Sequence, residues 1–449
     1  MNKSTLSRRR FLKNALAGTA GMAAYATTGL QVVNAATQNN QDYKALVCVF
    51  LYGGNDAYNL FHPMRGDARA EYEAARSTLA RPPGLEIFPA NTQFDGGLGF
   101  DSAIDSLKPL FDSGKLAIQG NVGGLIEPVL NASGAEIAGA RLPQGLFAHD
   151  ASQQNWMRGA DLNQQFTGWG GRLLDLLESA NNDNAYLRNM SLSGGNFWQT
   201  GVENKPYSVD ASGSQPMRFI NRGRLGKLRE ESLQRYHENY ENEHVLGRLH
   251  SQLLLNSVAN NAALAEQLAA LEADESQPSF PNTSLGQQLS AVSRLIQIGK
   301  SNGLKRQVFF VAMGGFDTHD NQAEVHPGLS QTFSDAMAAF YQATETTGIA
   351  NEVTSFTMSD FGRTIRSNGN GTDHGWGSHH FILGGAVNGG QIYGDMPYQT
   401  RGTHLAPTTA NEQMFASLAR WFGVTDSVIG DIFPNLNNFD ASGINYFSV

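Results

Sequence analysis

Three short loop sequences hold most of the side chains able to do chemistry. Asp56 closes Gly53-Gly54-Asn55-Asp56, and Asp317 and His319 lie in Gly314-Gly315-Phe316-Asp317-Thr318-His319-Asp320. Asp373 and His374 lie in Gly371-Thr372-Asp373-His374-Gly375, with His379 and His380 shortly after. Carboxylates and neutral imidazoles crowded on loops raise one another's cost of ionisation unless a cation sits among them. Mixed oxygen and nitrogen donors suit Zn²⁺ or Mn²⁺, whereas Ca²⁺ and Mg²⁺ prefer oxygen alone. Two Asp/His sets would hold two divalent metal ions, a pair able to clamp the attacking and leaving oxygens of a displacement at phosphorus. Taken singly, each residue has an ordinary explanation. An Asp in such a turn is commonly an Asx-turn or helix N-cap, and one member of an Asp-His pair can merely orient the other.

The elements around these loops would bring them together. Continuous apolar runs at 46–52, 308–313 and 353–358 precede the Asp56 loop, the Asp317 loop, and Ser359-Asp360, which leads on to the Asp373 loop. A fourth run, 116–118, ends at Gly120-Asn121. Runs without polar alternation read as strands buried on both faces. Between them lie helical patterns. Ser284 and Gln287 read as a capping box ahead of Leu285, Leu289, Val292, Leu295 and Ile296, and Leu329, Phe333, Met337 and Phe340 form a second stripe. Alternation of this kind predicts an α/β domain over 36–449, with a mostly parallel central sheet sandwiched by helices. Ligands of such sheets bind beyond the carboxyl ends of the strands, where all three loops would emerge. The stretch at about 215–280 differs: it has no strand-like run. Val245, Leu246, Leu249, Leu253 and Leu254 form a stripe with charges on both sides, so it reads as a helical insertion with a solvated face.

The N-terminus carries an address. Ser7-Arg8-Arg9-Arg10-Phe11-Leu12-Lys13 fits the twin-arginine pattern. A weakly apolar stretch follows, and Val33-Asn34-Ala35 offers a small-residue cleavage pattern. Residues 1–35 therefore read as a signal peptide handled by the twin-arginine translocase, which exports folded proteins to the periplasm or beyond. No later run is long and apolar enough for a membrane span. Removing the five basic residues of the leader moves the formal charge from -9 to about -14. That argues against nucleic acid as a partner, while a bound metal can still reverse the local field for an anionic ester. The single Cys48, inside the first apolar run, reads as a buried hydrophobe.

Four motifs in order carry a family likeness: Gly-Gly-Asn-Asp-Ala-Tyr-Asn (53–59), Gly-Gly-Phe-Asp-Thr-His-Asp-Asn-Gln (314–322), Ser-Asp-Phe-Gly-Arg-Thr (359–364) and Asn-Gly-x-Gly-Thr-Asp-His-Gly (368–375). The chain resembles the exported bacterial family known as DUF1501, placed in the alkaline phosphatase and sulfatase superfamily. The resemblance implies an α/β sandwich and two metals holding a phosphate or sulfate ester. It also implies that Asp56, Asp373 and His374 share one ion, and that Asp317, His319 and one of His379 or His380 hold the other. Asp320, Gln322 and Arg363 would support the site, Arg363 as a catalytic group, with pairing of Arg363 to Asp360 as a structural alternative. Related chains often show Leu-Phe-Ser-His, whereas this chain reads Leu146-Phe147-Ala148-His149, so the position of a serine nucleophile is Ala148. His149 would then orient the ester or act as its acid. The resemblance thus implies either a metal-dependent hydrolase or a non-catalytic, metal-retaining binding protein.

Overall fold

The computed structural model describes residues 41–449 apart from 132, 160–165, 182–184, 212–224, 241–244, 273–277, 396–399, 402, 440–443 and 448–449. The twin-arginine leader lies outside the described residues.

The four apolar runs form strands β1 (Lys44–Leu51), β2 (Leu116–Gly123), β5 (Arg306–Met313) and β6 (Val353–Ser359). Short strands β3 (Asn189–Ser191), β4 (Tyr207–Ser208), β8 (Ile392–Tyr393) and β9 (Thr409–Ala410), with β7 (Ser378–Gly384), complete one nine-stranded sheet. Its order is β8-β2-β7-β6-β1-β5-β3-β4, with β9 also paired to β2. All pairings are parallel except those of β7, which runs antiparallel to both β2 and β6.

Successive strand residues point to opposite faces, and the core divides accordingly. Val47 and Val49 of β1 join Phe309 and Val311 of β5 beneath α6 (Ser284–Ser301) and α7 (Gln322–Thr346). Leu46, Cys48 and Phe50 join Phe310, Phe356 and Met358 on the other face. That face is covered by α2 (His149–Arg158), α3 (Trp169–Leu176) and α8 (Asn411–Phe422). Full burial of each such apolar side chain contributes roughly 1.5–3 kcal/mol, so the central strands are a rigid base for the loops they carry. Cys48 is free and buried within this layer.

Two local readings shift. The cap of α6 is Thr283, whose hydroxyl accepts from the Gly286 amide at 3.1 Å, one residue before the Ser284 box. His379 and His380 lie inside β7 and not on a loop; their polarity hid a strand from a hydropathy reading. The stripe Leu329, Phe333, Met337 and Phe340 falls within α7, with the last three buried. Within the 215–280 stretch the described helices are α4 (Gly226–Tyr240) and α5 (Val245–Glu272). Leu264 and Leu268 of α5 enter the core, while Val245, Leu246, Leu249 and Leu253 are exposed.

Candidate metal centre

Leu51, Met313 and Ser359 are level with one another in adjacent parallel strands, so the loops after β1, β5 and β6 leave the sheet side by side. Gly53 has φ +113°, and a Cβ there would overlap the backbone nitrogen of Asp317. Glycine is required because two loops meet backbone to backbone.

Arg363 ties those loops into one unit. Its Nε donates to Gly54 O at 2.9 Å and its Nη1 to Thr372 O at 3.0 Å. Its Nη2 donates to Gly53 O at 2.6 Å, Phe316 O at 2.9 Å and Asp317 Oδ1 at 2.6 Å. The guanidinium is fully buried, and each of these partners is a protein oxygen. Arg363 therefore positions Asp317 and does not face a substrate, in contrast to the catalytic role expected for it. Its partner is Asp317 and not Asp360. Burial opposes ionisation of the Asp317 carboxyl, and the Arg363 guanidinium overrides it, holding that carboxyl below its ordinary value.

Three imidazoles surround Asp317. His149, the first residue of α2, donates Nδ1–H to Asp360 Oδ2 at 2.6 Å and places Nε2 3.4 Å from Asp317 Oδ2. Gln153, one turn on, donates to the same Asp360 oxygen at 3.0 Å. His374 donates Nδ1–H to Phe147 O at 2.7 Å and places Nε2 3.4 Å from Asp317 Oδ1. His319 has Nδ1 3.3 Å from Asp373 Oδ1, and its Nε2 lies 2.9 Å from His374 Nε2 and 3.2 Å from Asp317 Oδ1. With every Nδ1 on an acceptor, the tautomer protonated there leaves each Nε2 a lone pair within 3.4 Å of the Asp317 carboxylate. His319 Nε2 and His374 Nε2, 2.9 Å apart, need a proton or another cation between them. The donor set fits a metal. His149, Asp317 and His374 offer ligand atoms all within 4.8 Å of one another. Phe147 holds φ +73°, unusual for a bulky residue, and this turn aims its carbonyl at His374.

Among the described residues the structure gathers one such cluster where two metal sites were expected. Asp56 is not in it. Its carboxylate is fully buried, paired with Arg76 and bonded by Gln322 Nε2. Gln322 in turn accepts from the Thr372 hydroxyl at 2.6 Å. Both Asp56 oxygens are engaged by the chain itself, so this residue braces the loops. His379 and His380 are also elsewhere. One of them was expected to join Asp317 and His319, but neither belongs to the group of ligand atoms around Asp317, and the two rings are buried against different partners at an irregularity of β7. His379 packs on Phe61 (ring centroids 4.7 Å apart) and accepts from the Asn121 amide at 3.0 Å. His380 packs on Trp156 (4.6 Å) and bonds the Thr357 hydroxyl at 3.0 Å. Burial depresses both imidazoles to about 3, so they stay neutral. Asp320 lies at the rim, bonded by Asn370. Asp373 orients His319 and is held below its ordinary value first by a hydrogen bond from Asn368.

Sequence reasoning placed His149 at the ester, orienting it or acting as its acid, and missed that its ring stands in the cluster around Asp317. It also missed Asp360 as the group that orients His149. The available signal was Asp360 itself, which follows directly on the strand run that delivers the third loop. Ala148 is the N-cap of α2, exposed between Phe147 and His149. Among the described residues, no Ser or Thr hydroxyl bonds to the ring nitrogens of His149, His319 or His374 or to the Asp317 carboxylate.

Several solved structures are similar. A protein in the alkaline phosphatase superfamily from Vibrio parahaemolyticus aligns over 92% of this chain and 79% of its own, at 11% identity and a TM-score of 0.38. The PsFucS1 sulfatase from Pseudoalteromonas sp. aligns over 89% and 72%, at 9% identity and a TM-score of 0.35. The lipoteichoic acid synthase LtaP from Listeria monocytogenes aligns over 89% and 78%, at 9% identity and a TM-score of 0.33. Likeness at this level carries no activity and no residue role over to this chain. No curated protein matches it. The model of the family described as "Protein of unknown function (DUF1501)" matches residues 43–429, a span that includes every donor of the cluster, and the chain belongs to that family.

Proposed function

We propose that this is an exported metal-dependent hydrolase acting on a phosphate or sulfate ester. Its metal would be one divalent ion, Zn²⁺ or Mn²⁺, held by His149, His319, His374 and Asp317. The observation that carries the reading is the convergence of three Nε2 lone pairs on one carboxylate, each ring fixed from behind by Asp360, Asp373 or the Phe147 carbonyl. A bound divalent ion would supply Lewis acidity toward an ester oxygen. The chain's own part is to hold the rings in one tautomer and keep Asp317 ionised through Arg363. It also presents the first turn of α2, whose amide N–H groups suit an anion.

Ala148 favours a second reading, a binding protein of the same fold that retains the metal without turnover. The test uses the mature protein with Zn²⁺ or Mn²⁺ against aryl phosphates, phosphodiesters and aryl sulfates, for wild type and Ala148→Ser. About one equivalent of metal and metal-dependent turnover are expected, higher in Ala148→Ser, where a hydroxyl could attack and leave a covalent intermediate. A mature protein that retains no metal would sink both readings. Metal retention with silence from both proteins selects the binder.

Export rests on Arg8 and Arg9. Arg8→Lys with Arg9→Lys is expected to leave the precursor in the cytoplasm, as read by cell fractionation. Normal delivery of that variant would overturn the twin-arginine route.

A further inference from the structure

Two of the three imidazoles in the cluster rest on one aromatic ring. Phe361 lies two residues past the end of β6 and is 2% exposed. Its ring centroid is 5.0 Å from that of His149, at an interplanar angle of 40°, and 4.4 Å from that of His374, at 32°. The two imidazoles meet edge to face, 4.5 Å apart at 72°. Gly54 makes room for the phenyl ring: it has φ +87°, and a Cβ there would stand 2.5 Å from Phe361 Cε2. The loop after β1 therefore closes on Phe361 from below, while the two imidazoles lie against it.

A single hydrogen bond fixes one atom of a ring but not its tilt. His149 Nδ1 is held by Asp360 and His374 Nδ1 by the Phe147 carbonyl. Each imidazole could still pivot about that bond and swing Nε2 away from Asp317. A close-packed aromatic neighbour removes the pivot, because ring pairs have preferred angles and a buried phenyl leaves no gap to turn into. Charge acts in the same direction. An imidazole that gains positive character, from a proton or a metal ion, is attracted to the π cloud of a phenyl ring. Among the described residues the ring contact of His319 is with His374 and not with Phe361, and its Nδ1 faces Asp373.

We infer that Phe361 is a positioning residue of the cluster, setting the tilt of His149 and His374 so that both Nε2 atoms face Asp317. Asp360 and Phe361 then act on His149 as consecutive residues, one fixing its Nδ1 and the other its plane. The consequence for metal affinity rests on the metal reading; the consequence for the rings does not. The test compares Phe361→Leu and Phe361→Tyr with wild type in the full mature protein. Without metal, ¹³Cε1 relaxation of the imidazoles should show order lost at His149 and His374 in Phe361→Leu, kept at His319, and regained in Phe361→Tyr. With Zn²⁺, Phe361→Leu should bind about 10–100-fold more weakly, and Phe361→Tyr should recover most of that. If the leucine variant folds poorly, Phe361→Met, which keeps more of the volume without a ring, gives the same comparison. Unchanged order at His149 and His374 would overturn the inference. So would an equal loss at all three rings, the mark of a general packing defect. A wild type that binds no Zn²⁺ would sink the metal reading and leave this one to be decided by the rings.

Discussion

His149→Ala combined with His374→Ala is expected to abolish metal retention and to remove the stabilisation that the ion supplies. The two rings are two of the three residues whose ligand atoms all lie within 4.8 Å of one another. Without them only Asp317 of that group remains, with His319 beside it at 3.2 Å. Metal bound only to the folded state adds about 2.7 kcal/mol at a hundredfold excess over Kd, and that increment should vanish in the variant. A chelator should therefore lower the melting temperature of wild type and leave the variant's unchanged. Asp360→Asn gives a graded companion. It keeps every donor but weakens the carboxylate that fixes the His149 ring, so affinity should fall about 10–100-fold. Elemental analysis and competition with a chromophoric chelator measure both effects. Full metal content in the double variant would remove the cluster from consideration.

Asp56→Asn is expected to do the opposite: a large loss of stability with metal content intact. Asp56 and Arg76 are an ion pair with both side chains fully buried, and Arg76 Nη1 also donates to Thr364 O at 3.1 Å. Neutralising the carboxylate leaves a guanidinium uncompensated in the interior, a change that costs about 3–5 kcal/mol. Urea midpoints would read this directly. Asp56→Asn combined with Arg76→Met should recover part of the loss, since the orphaned charge is then gone. If Asp56 were instead a ligand, the single variant would lose metal in proportion to its loss of stability. The measurement thus separates a brace from a donor at a position where the two look alike in sequence.

Much of the fold was legible because burial writes itself into local composition. The runs at 46–52, 308–313 and 353–358 have no polar interruption, and the strands found there are buried on both faces. Strand β7 was not legible, since Ser378, His379 and His380 open it with polar side chains whose burial depends on Phe61, Trp156 and Asn121 from distant parts of the chain. The two-residue strands β8 and β9 exist only through pairing with β2.

The site divides along the same line. Sequence by itself determined which loops meet, because parallel strands deliver their carboxyl ends to one edge and the apolar runs show which loops follow strands. It thereby placed Asp317, His319, Asp373 and His374 together. Where each side chain points was decided only by the tertiary structure. Asp56 turns inward because Arg76, twenty residues on, brings a buried cation to it, and its two oxygens are held by that guanidinium and by the Gln322 amide. His379 and His380 leave the site because their rings are buried against Phe61 and Trp156. His149 enters it because the start of a helix far away in sequence meets Asp360, just past the end of β6, a long-range contact that no local pattern encodes.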